Sequence, residues 1–412
     1  MSKSNETTPN VPTLRFREFT EQWEQKTFDE TFSILSNNTL SRAELNYENG
    51  NYKNIHYGDV LIKFSAFIDA SSPEVPYIND ENSSSKLDNI LLQDGDIIIA
   101  DTAEDFTVGK ATEIENIDKI KVVSGLHTIP CRPKIKFSPR YLGYYVNSPA
   151  YHNQLIPFIQ GVKVSSISKT LIKKTFVSFP SLSEQTKIAD FLSCLDKKIE
   201  TQNKIISKYE TLIKGLYTQI QSKSAKKEYR ICDIVKCHSV GLLSKENLIE
   251  SGSKKCILYG ELFTTYDEVI NEIKSRTNVD GYISQGNEIL FPSSTTVDAM
   301  SLIAPSALNE KGILLGGDMF VLELLPGFNN EYISYYLNLI AKRNLAKYAQ
   351  GTTITHLYFE HIKNVLLYLP DFSIQISIAS KMRKLKTKIQ IEKEMLSALQ
   401  KQKAFLLQSM FI

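Results

Sequence analysis

QGVKVSSISKTLIKKTFVSFP, Gln160 to Pro180, and QGTTITHLYFEHIKNVLLYLP, Gln350 to Pro370, align without a gap, so that Gly161 meets Gly351 and Pro180 meets Pro370. Upstream, YLGYYVN from Tyr141 parallels YISYYLN from Tyr332, and LSRAELNYENGNYKNIHYGD from Leu40 parallels LSKENLIESGSKKCILYGE from Leu243, in the same order. Self-similarity at a fixed offset is the signature of a duplicated architecture. Each half reads as a mixed module of strands and short helices that leads into a long helical segment. Strand signals are Ile97, Ile98 and Ile99 after the turn Asp94-Gly95, and Ile289, Leu290 and Phe291 after Gly286-Asn287. A short helix follows in each, with Pro139 suited to a first turn and Asn330 to a cap ahead of Tyr332.

The segments after the two prolines carry the clearest periodicity. Ser181 and Glu184 stand at capping-box spacing, in which the serine oxygen takes an orphan N–H and the glutamate reaches back. Apolar residues then recur at Ile188, Leu192, Leu195, Ile199, Ile206, Tyr209, Ile213, Leu216 and Ile220, with Gln202 in the polar slot. After Pro370, Asp371 takes the cap position and the seam returns as Ile378, Met382, Leu385, Ile389, Leu396, Leu399, Leu406 and Met410, interrupted by Glu392 and Lys403. The 4-3 alternation has the 3.5-residue period of a coiled coil. A seam of roughly 32 residues spans about 50 Å at 1.5 Å per residue, more than a helix packed on its own module needs, although that simpler packing is the alternative.

Helix 1 leaves the first module and ends where the second begins, whereas helix 2 leaves the second. Side by side, they must run antiparallel. The expectation is an α+β chain of two related domains separated by long helices that form an antiparallel coiled coil, with pseudo-two-fold symmetry that sets the modules at opposite ends of a rod. The boundaries read as a flexible arm over 1–14, a first domain over 15–180, helix 1 over 181–227, a second domain over 228–370 and helix 2 over 371–412.

Composition agrees with this plan and removes others. A chain of 412 residues accommodates roughly two to four domains. With 42% hydrophobic and 23% charged residues it is neither disordered nor fibrous. A net charge of +2 is too small to attract a polyanion globally, so any such surface is local. Cys131, Cys194, Cys232, Cys237 and Cys256 are scattered and odd in number, as free thiols are in a reducing compartment. The start, MSKSNETTPN, has no apolar stretch of secretory type, and no run approaches 18 apolar residues, which leads to the expectation of a cytoplasmic protein with no membrane partner.

Catalytic constellations are not evident. Gly109-Lys110-Ala111-Thr112 fails as a phosphate cradle, because Ala111 stands where Ser or Thr is required and Glu104 where the first glycine is. There is no GxGxxG, no HExxH and no Asn/Asp-Pro-Pro-aromatic run for holding a base during methyl transfer. Cys232, Cys237 and His238 lack a second ligand pair at finger spacing, so no metal is assigned. Asp94, Asp96, Asp101, Glu104 and Asp105 could serve a Mg²⁺-dependent nuclease only if they converge; a turn with a solvated loop is the ordinary reading. His127 and His152 have no adjacent nucleophile, and no residue is assigned as catalytic.

A duplicated chain without a catalytic constellation points to recognition or scaffolding. The stretch FPSLSEQTKIADFLSCLDKKI, Phe179 to Ile199, strongly resembles the conserved helix start of specificity subunits of type I restriction-modification systems, and QGVKVSSISKTL, Gln160 to Leu171, resembles the segment closing their target recognition domains. The second copy, LPDFSIQISIASKM, keeps Pro370, Gln375, Ile378 and Ala379 but has Ile374 and Ser377 in place of the expected Glu and Lys. The resemblance spans nearly all of the chain after Val11. It implies a non-catalytic subunit in which each recognition domain reads one half of a bipartite double-stranded DNA target and the coil sets the spacer. It also implies two modification (methyltransferase) subunits and ATP-dependent restriction subunits as partners, with S-adenosylmethionine, ATP and Mg held by those partners and no cofactor on this chain. The rivals are a coiled-coil interaction scaffold without DNA specificity and the self-contained nuclease.

Candidate DNA contacts follow the aligned segments. After Gly161 come Lys163, Ser165, Ser166 and Lys169; after Gly351 come Thr352, Thr353, Thr355 and His356. Hydroxyls and cations there suit groove edges and phosphates, the alternative being a polar turn before the last strand. A second set is Thr102, Phe106, Thr107 and Lys110, with Ser293, Ser294, Thr295 and Thr296 as counterpart, against a plain hairpin. Lys342, Arg343 and Lys347 could grip phosphate, as could Lys173 and Lys174, although a solvated helix face is common for such residues. The helical segments hold the basic excess, nine Lys/Arg against five Asp/Glu over 183–227 and eight against three over 371–412. Solvation and partner contact are both open uses of that charge. Tyr144, Tyr145, Tyr335 and Tyr336 lie in amphipathic helices and read as core, not as base-stacking groups.

Overall fold

The computed structural model describes residues 10–79, 82, 85–161, 163–223 and 226–412, with backbone alone over 216–223. The seam positions Leu216 and Ile220 and the first nine residues of the arm therefore lie outside the described side chains. The chain divides into two compact units, Met1–Asn203 with Glu394–Ile412, and Lys204–Lys393.

In unit 1 the central sheet runs Phe32–Ile34, Thr128–Pro133, Ile97–Ala100, Ala111–Glu115, Phe67–Asp69, antiparallel except for the last pair. Ile97 and Ile99 point into a core with Trp23, Phe28, Tyr141 and Tyr145, while Ile98 and Ala100 point into another with Ile55, Val60 and Phe64. Both faces are covered, which is why the strand reads as an unbroken apolar run and not as an alternation. A smaller sheet runs Val122–Ser124, Lys53–Ile55, Tyr77–Ile78, Leu45–Asn46. Glu24–Thr27 pairs with Phe176–Phe179 to close the unit.

Unit 2 is assembled from the same parts. Its central sheet runs Val235–Ser239, Met319–Leu324, Glu288–Pro292, Ser306–Leu308, its second sheet contains the parallel pair Lys254–Leu258 and Leu314–Gly316, and Lys227–Arg230 pairs with Leu366–Leu369. Even a short 3-10 turn recurs, with Ser41 bonded to Glu44 in one unit and Ser244 to Asn247 in the other. The tyrosines at the matched short helices, Tyr144, Tyr145, Tyr335 and Tyr336, are buried.

Two helices leave these modules, α1 over Leu182–Lys223 and α2 over Phe372–Ser409. Each unit contains the start of one and a stretch of the other. In unit 1, Ile188, Leu192 and Leu195 share a core with Leu406, Met410 and Phe411, and Asp196 pairs with Lys403 at 2.5 Å. In unit 2, Lys388 stands 4.9 Å from the Tyr209 ring centroid and Lys393 3.5 Å from Glu210. Numbers fall on α2 as they rise on α1, so the pair is antiparallel. Gln202, Ile206, Ile213, Ile378, Met382 and Ile389 are buried, and Ile199, Leu385, Glu392, Leu396 and Leu399 half-buried, as the seam requires.

Asp371 stands at the cap position expected of it, its carbonyl accepting from the Gln375 N–H at 3.1 Å while its carboxylate pairs with Lys227 at 3.1 Å. Three local expectations are corrected. Glu184 does not reach back to Ser181: both its oxygens lie 2.7 Å from Arg15, and Ser181 bonds Ser183 instead. The cap of the helix Asn330–Tyr336 is Asn329, one residue earlier, whose side chain accepts from the Tyr332 N–H. Pro139 precedes the helix Tyr141–Val146, whose cap Arg140 adopts φ +70°. None of the described helices is long and apolar enough to cross a membrane.

Candidate nucleic-acid interface

Each unit carries a small two-stranded ribbon outside its main sheets. In unit 1, Ser165 and Ser166 pair with Ala103 and Thr102; in unit 2, Thr355 and His356 pair with Thr295 and Ser294. The two candidate segments, distant in sequence, thus meet in one element twice. The second strand turns back on itself: Gln160 and Ser166 exchange both backbone bonds at 2.9 and 2.8 Å, as do Gln350 and His356 at 2.9 and 2.7 Å. Glycine makes that hairpin possible. Gly161 and Gly351 have φ +107° and +117°, and a Cβ would fall 1.9 and 2.0 Å from the carbonyl oxygens of Val164 and Ile354, closer than any side chain permits.

Around the first ribbon, Lys163, Ser166 and Lys169 are exposed and Ser165 half-buried. Lys169 Nζ donates to Asn37 Oδ1 at 3.2 Å. Thr102 donates to Asp101 at 2.8 Å and sits 3.4 Å from His127 Nδ1, and Asp101 is equally close to that nitrogen. His127 holds φ +54°, an uncommon conformation for a non-glycine residue. Phe106 and Thr107 are exposed in the turn beyond Thr102. Lys110 is not part of that outward set: its Nζ donates to Leu61 O at 2.8 Å, and burial pushes its ammonium below the usual lysine range.

Around the second ribbon, Thr352 and Thr353 are exposed and Thr355 and His356 half-buried. Ser293 and Ser294 are buried, which leaves Thr295 and Thr296 as the outward hydroxyls of that segment. A cleft of about 1290 Å³ opens beside them, lined by Thr295, Thr296, Val297, Ile354, Tyr259 and Phe263. Arg343 and Lys347 are exposed, whereas Lys342 is partly buried and pushed below the ordinary lysine range by that burial. Lys173 is tied to Asp29 at 3.1 Å.

The acidic cluster disperses. Asp96 is buried against Arg132, Asp94 accepts from the Ile117 N–H, and Asp105 accepts from Thr107. Cys232 and His238 likewise turn to separate partners, Asp233 and Glu323. Among the described residues, no group of three or more His, Cys, Asp or Glu is placed to hold a metal.

Sequence reasoning missed Asn37, Asp101 and His127 because their approach to the ribbon depends on the central sheet. It also missed Val164, Ile354 and Val297, for which a signal existed: the aligned hairpins both place an aliphatic residue three positions after the glycine.

Like α+β modules, each with a two-stranded ribbon outside its main sheets and each continuing into one member of an antiparallel helix pair, define the class: a duplicated recognition protein. The profile of the Type I restriction modification DNA specificity domain matches residues 20–211 and again 223–401, and the chain belongs to that family. It is similar to a Methanocaldococcus jannaschii protein named as the putative specificity subunit of the type I restriction enzyme MjaX, at 25% identity over 219 residues, 52% of this chain and 49% of that one. The match therefore spans about half the length of that relative. The fold is similar to the crystal structure of the type I restriction-modification S subunit from M. genitalium, with TM-score 0.60, 15% identity and coverage of 98% and 99% of the two chains. A second solved chain, from work on complex assembly and conformational transition of the type I R-M system, gives TM-score 0.56 at 14% identity, with coverage of 93% and 96%.

Proposed function

We propose that this chain is the DNA sequence-selecting subunit of a type I restriction-modification complex. Each unit's ribbon reads one half of a bipartite duplex target, and the antiparallel pair α1 and α2 sets the spacer between the halves. The observation that carries this reading is the ribbon itself, built twice with the same glycine hairpin and lined in each copy by hydroxyls, with lysines added in the first. A two-stranded β-ribbon fits the major groove, where each base pair presents a distinct pattern of donors, acceptors and methyl groups.

The chain supplies selection and no chemistry. Adenine methylation and ATP-driven cleavage fall to two modification subunits and to restriction subunits, which hold S-adenosylmethionine, ATP and Mg. The modification subunit flips the target adenine from the stack, since its reactive atom is inaccessible in a duplex. The complex acts in the cytoplasm.

The test is methylation mapping of genomic DNA with and without this chain, the partner methyltransferase being present throughout. A split adenine-methylated motif should vanish with the chain. Replacing the unit 2 recognition domain by another should change one half of the motif and leave the other intact. If both halves change together, or if no motif depends on the chain, the reading fails in favour of a scaffold.

A further inference from the structure

Four large apolar side chains stand exposed on the two ribbons: Phe106 at 75% and Val164 at 51% in unit 1, Val297 at 73% and Ile354 at 47% in unit 2. Val164 and Ile354 occupy matched places, each three residues after the strained glycine, while Phe106 lies three residues past the partner strand in unit 1 and Val297 two residues past it in unit 2. The hairpin fixes Val164 and Ile354 there, because the glycine backbone lies against the carbonyl of the very residue at the tip. Exposure is therefore built into the loop.

We propose that these four side chains pack against the C5-methyl groups of thymines in the major groove, one pair in each half-site. The inference rests on the reading of the chain as a DNA-selecting subunit. Polar flanks argue for DNA over protein: Val164 is flanked by Lys163 and Ser165, Ile354 by Thr353 and Thr355, Phe106 by Asp105 and Thr107, and Val297 by Thr296 and Asp298, and in unit 2 Val297 and Ile354 line the cleft that also holds Tyr259 and Phe263. Apolar groups each set beside a hydroxyl, with a cation next to Val164, match a groove edge, where the thymine methyl is the apolar element among donors and acceptors. The repeat supports the same conclusion at the hairpin tips: Val164 is exchanged for Ile354 while Lys163 is exchanged for Thr353, so apolar character persists where charge does not.

The experiment uses the complex of the full chain with its methyltransferase and duplexes bearing the mapped motif, in which each thymine in turn is replaced by deoxyuridine. That exchange removes only a methyl. At least one replacement in each half should weaken binding by roughly fourfold, the effect of one buried carbon. Val164→Ala and Phe106→Ala should abolish the thymine-to-uracil difference in one half only, and Ile354→Ala and Val297→Ala in the other. Unchanged discrimination in all four variants overturns the proposal, as does a half-site without thymine. Loss of the methyltransferase from the variant complexes, with discrimination intact in whatever assembles, assigns the tips to protein contact and overturns it too. A native complex that binds every duplex equally refutes the functional reading itself, so the two failures are distinguishable.

Discussion

The starts of α1 and α2 show the same motif used in full and in part. At both, the glutamine five residues after the proline is buried and makes the same two bonds: Gln185 donates to Pro180 O at 2.9 Å and accepts from the Ser138 N–H at 2.9 Å, and Gln375 donates to Pro370 O at 2.8 Å and accepts from the Asn329 N–H at 3.0 Å. One residue earlier the copies part. Glu184, 1% exposed, forms a bidentate pair with Arg15, where the N-terminal arm joins the first domain, and the adjacent Phe16 packs edge-on against Phe191 at 5.8 Å. Ile374 stands in its place, half-buried between exposed Phe372 and Ile376. Only residues 224–226 separate the end of α1 from the strand Lys227–Arg230, too few for a second arm. The glutamate belongs to the arm and the glutamine to the helix start, so the altered second copy keeps what its own structure needs.

The largest effect that sharpens this comparison comes from the buried pair. Removing one partner leaves a charge without compensation, so Glu184→Ala should destabilise unit 1 by roughly 3 to 5 kcal/mol. Ile374→Ala, which trims a half-buried side chain, should cost unit 2 about 1 kcal/mol. Amide hydrogen exchange over 182–195 and 372–385 checks both. Equal loss of protection at the two starts would show that Glu184 and Ile374 carry the same load and that the arm is incidental.

A second contrast lies at the short helices. In unit 1 the N–H groups of Arg140 and Gly143 are accepted by the carboxylate of Glu113, a residue on a distant strand, at 2.6 and 2.9 Å. In unit 2 the N–H of Glu331, which corresponds to Arg140, is accepted by the neutral amide of Asn330, and that of the next residue, Tyr332, by the neutral amide of Asn329. Burial raises Glu113 to about 7, against the pull of its two backbone bonds. A carboxyl with a raised folded pKa contributes stability that is complete below its ordinary value of 4.5 and is lost as pH rises through 7. Unit 1 should thus weaken by roughly 3 kcal/mol between pH 4.5 and pH 8, at about 1.36 kcal/mol per pH unit of displacement. Glu113→Gln should flatten that slope, with the loss of one acceptor, and leave unit 2 unaffected. Denaturant midpoints at pH 5 and pH 8 measure it; a slope that survives the substitution assigns the titration elsewhere.

What could be read from the sequence follows the range of the interactions involved. The helix pair was legible because its seam repeats every 3.5 residues, and the direction of the pair followed from connectivity. The duplication was legible because the hairpin glycine, the closing proline and the tyrosine helix each impose a local requirement twice. The Ser181–Glu184 spacing misled for the opposite reason: a contact across 169 residues, from Arg15, outcompeted the local cap. The ribbon brought Thr102 to Ser166 by tertiary pairing, which no local pattern announces. Phe411, which lies 5.9 Å from both Tyr141 and Tyr145, was likewise invisible, because a terminal aromatic carries no periodicity.

The smallest effect tests whether the two helix starts are equivalent where they look equivalent. Gln185→Ala and Gln375→Ala each remove one donor and one acceptor at a buried site and leave a proline carbonyl and a backbone N–H unpaired. A buried unsatisfied group costs about 1 to 3 kcal/mol, so each variant should lose about 2 kcal/mol in its own unit and nothing in the other. Equality is the informative result. Two glutamines that cost the same, beside a glutamate and an isoleucine that do not, would separate two roles within one motif, since the glutamine ties each helix to its module whereas the glutamate fastens an arm that only the first module has. If Gln375→Ala proves nearly silent while Gln185→Ala does not, the second start has drifted in function as well as in sequence, and the hydrogen bonds shared by the two copies do not carry equal weight.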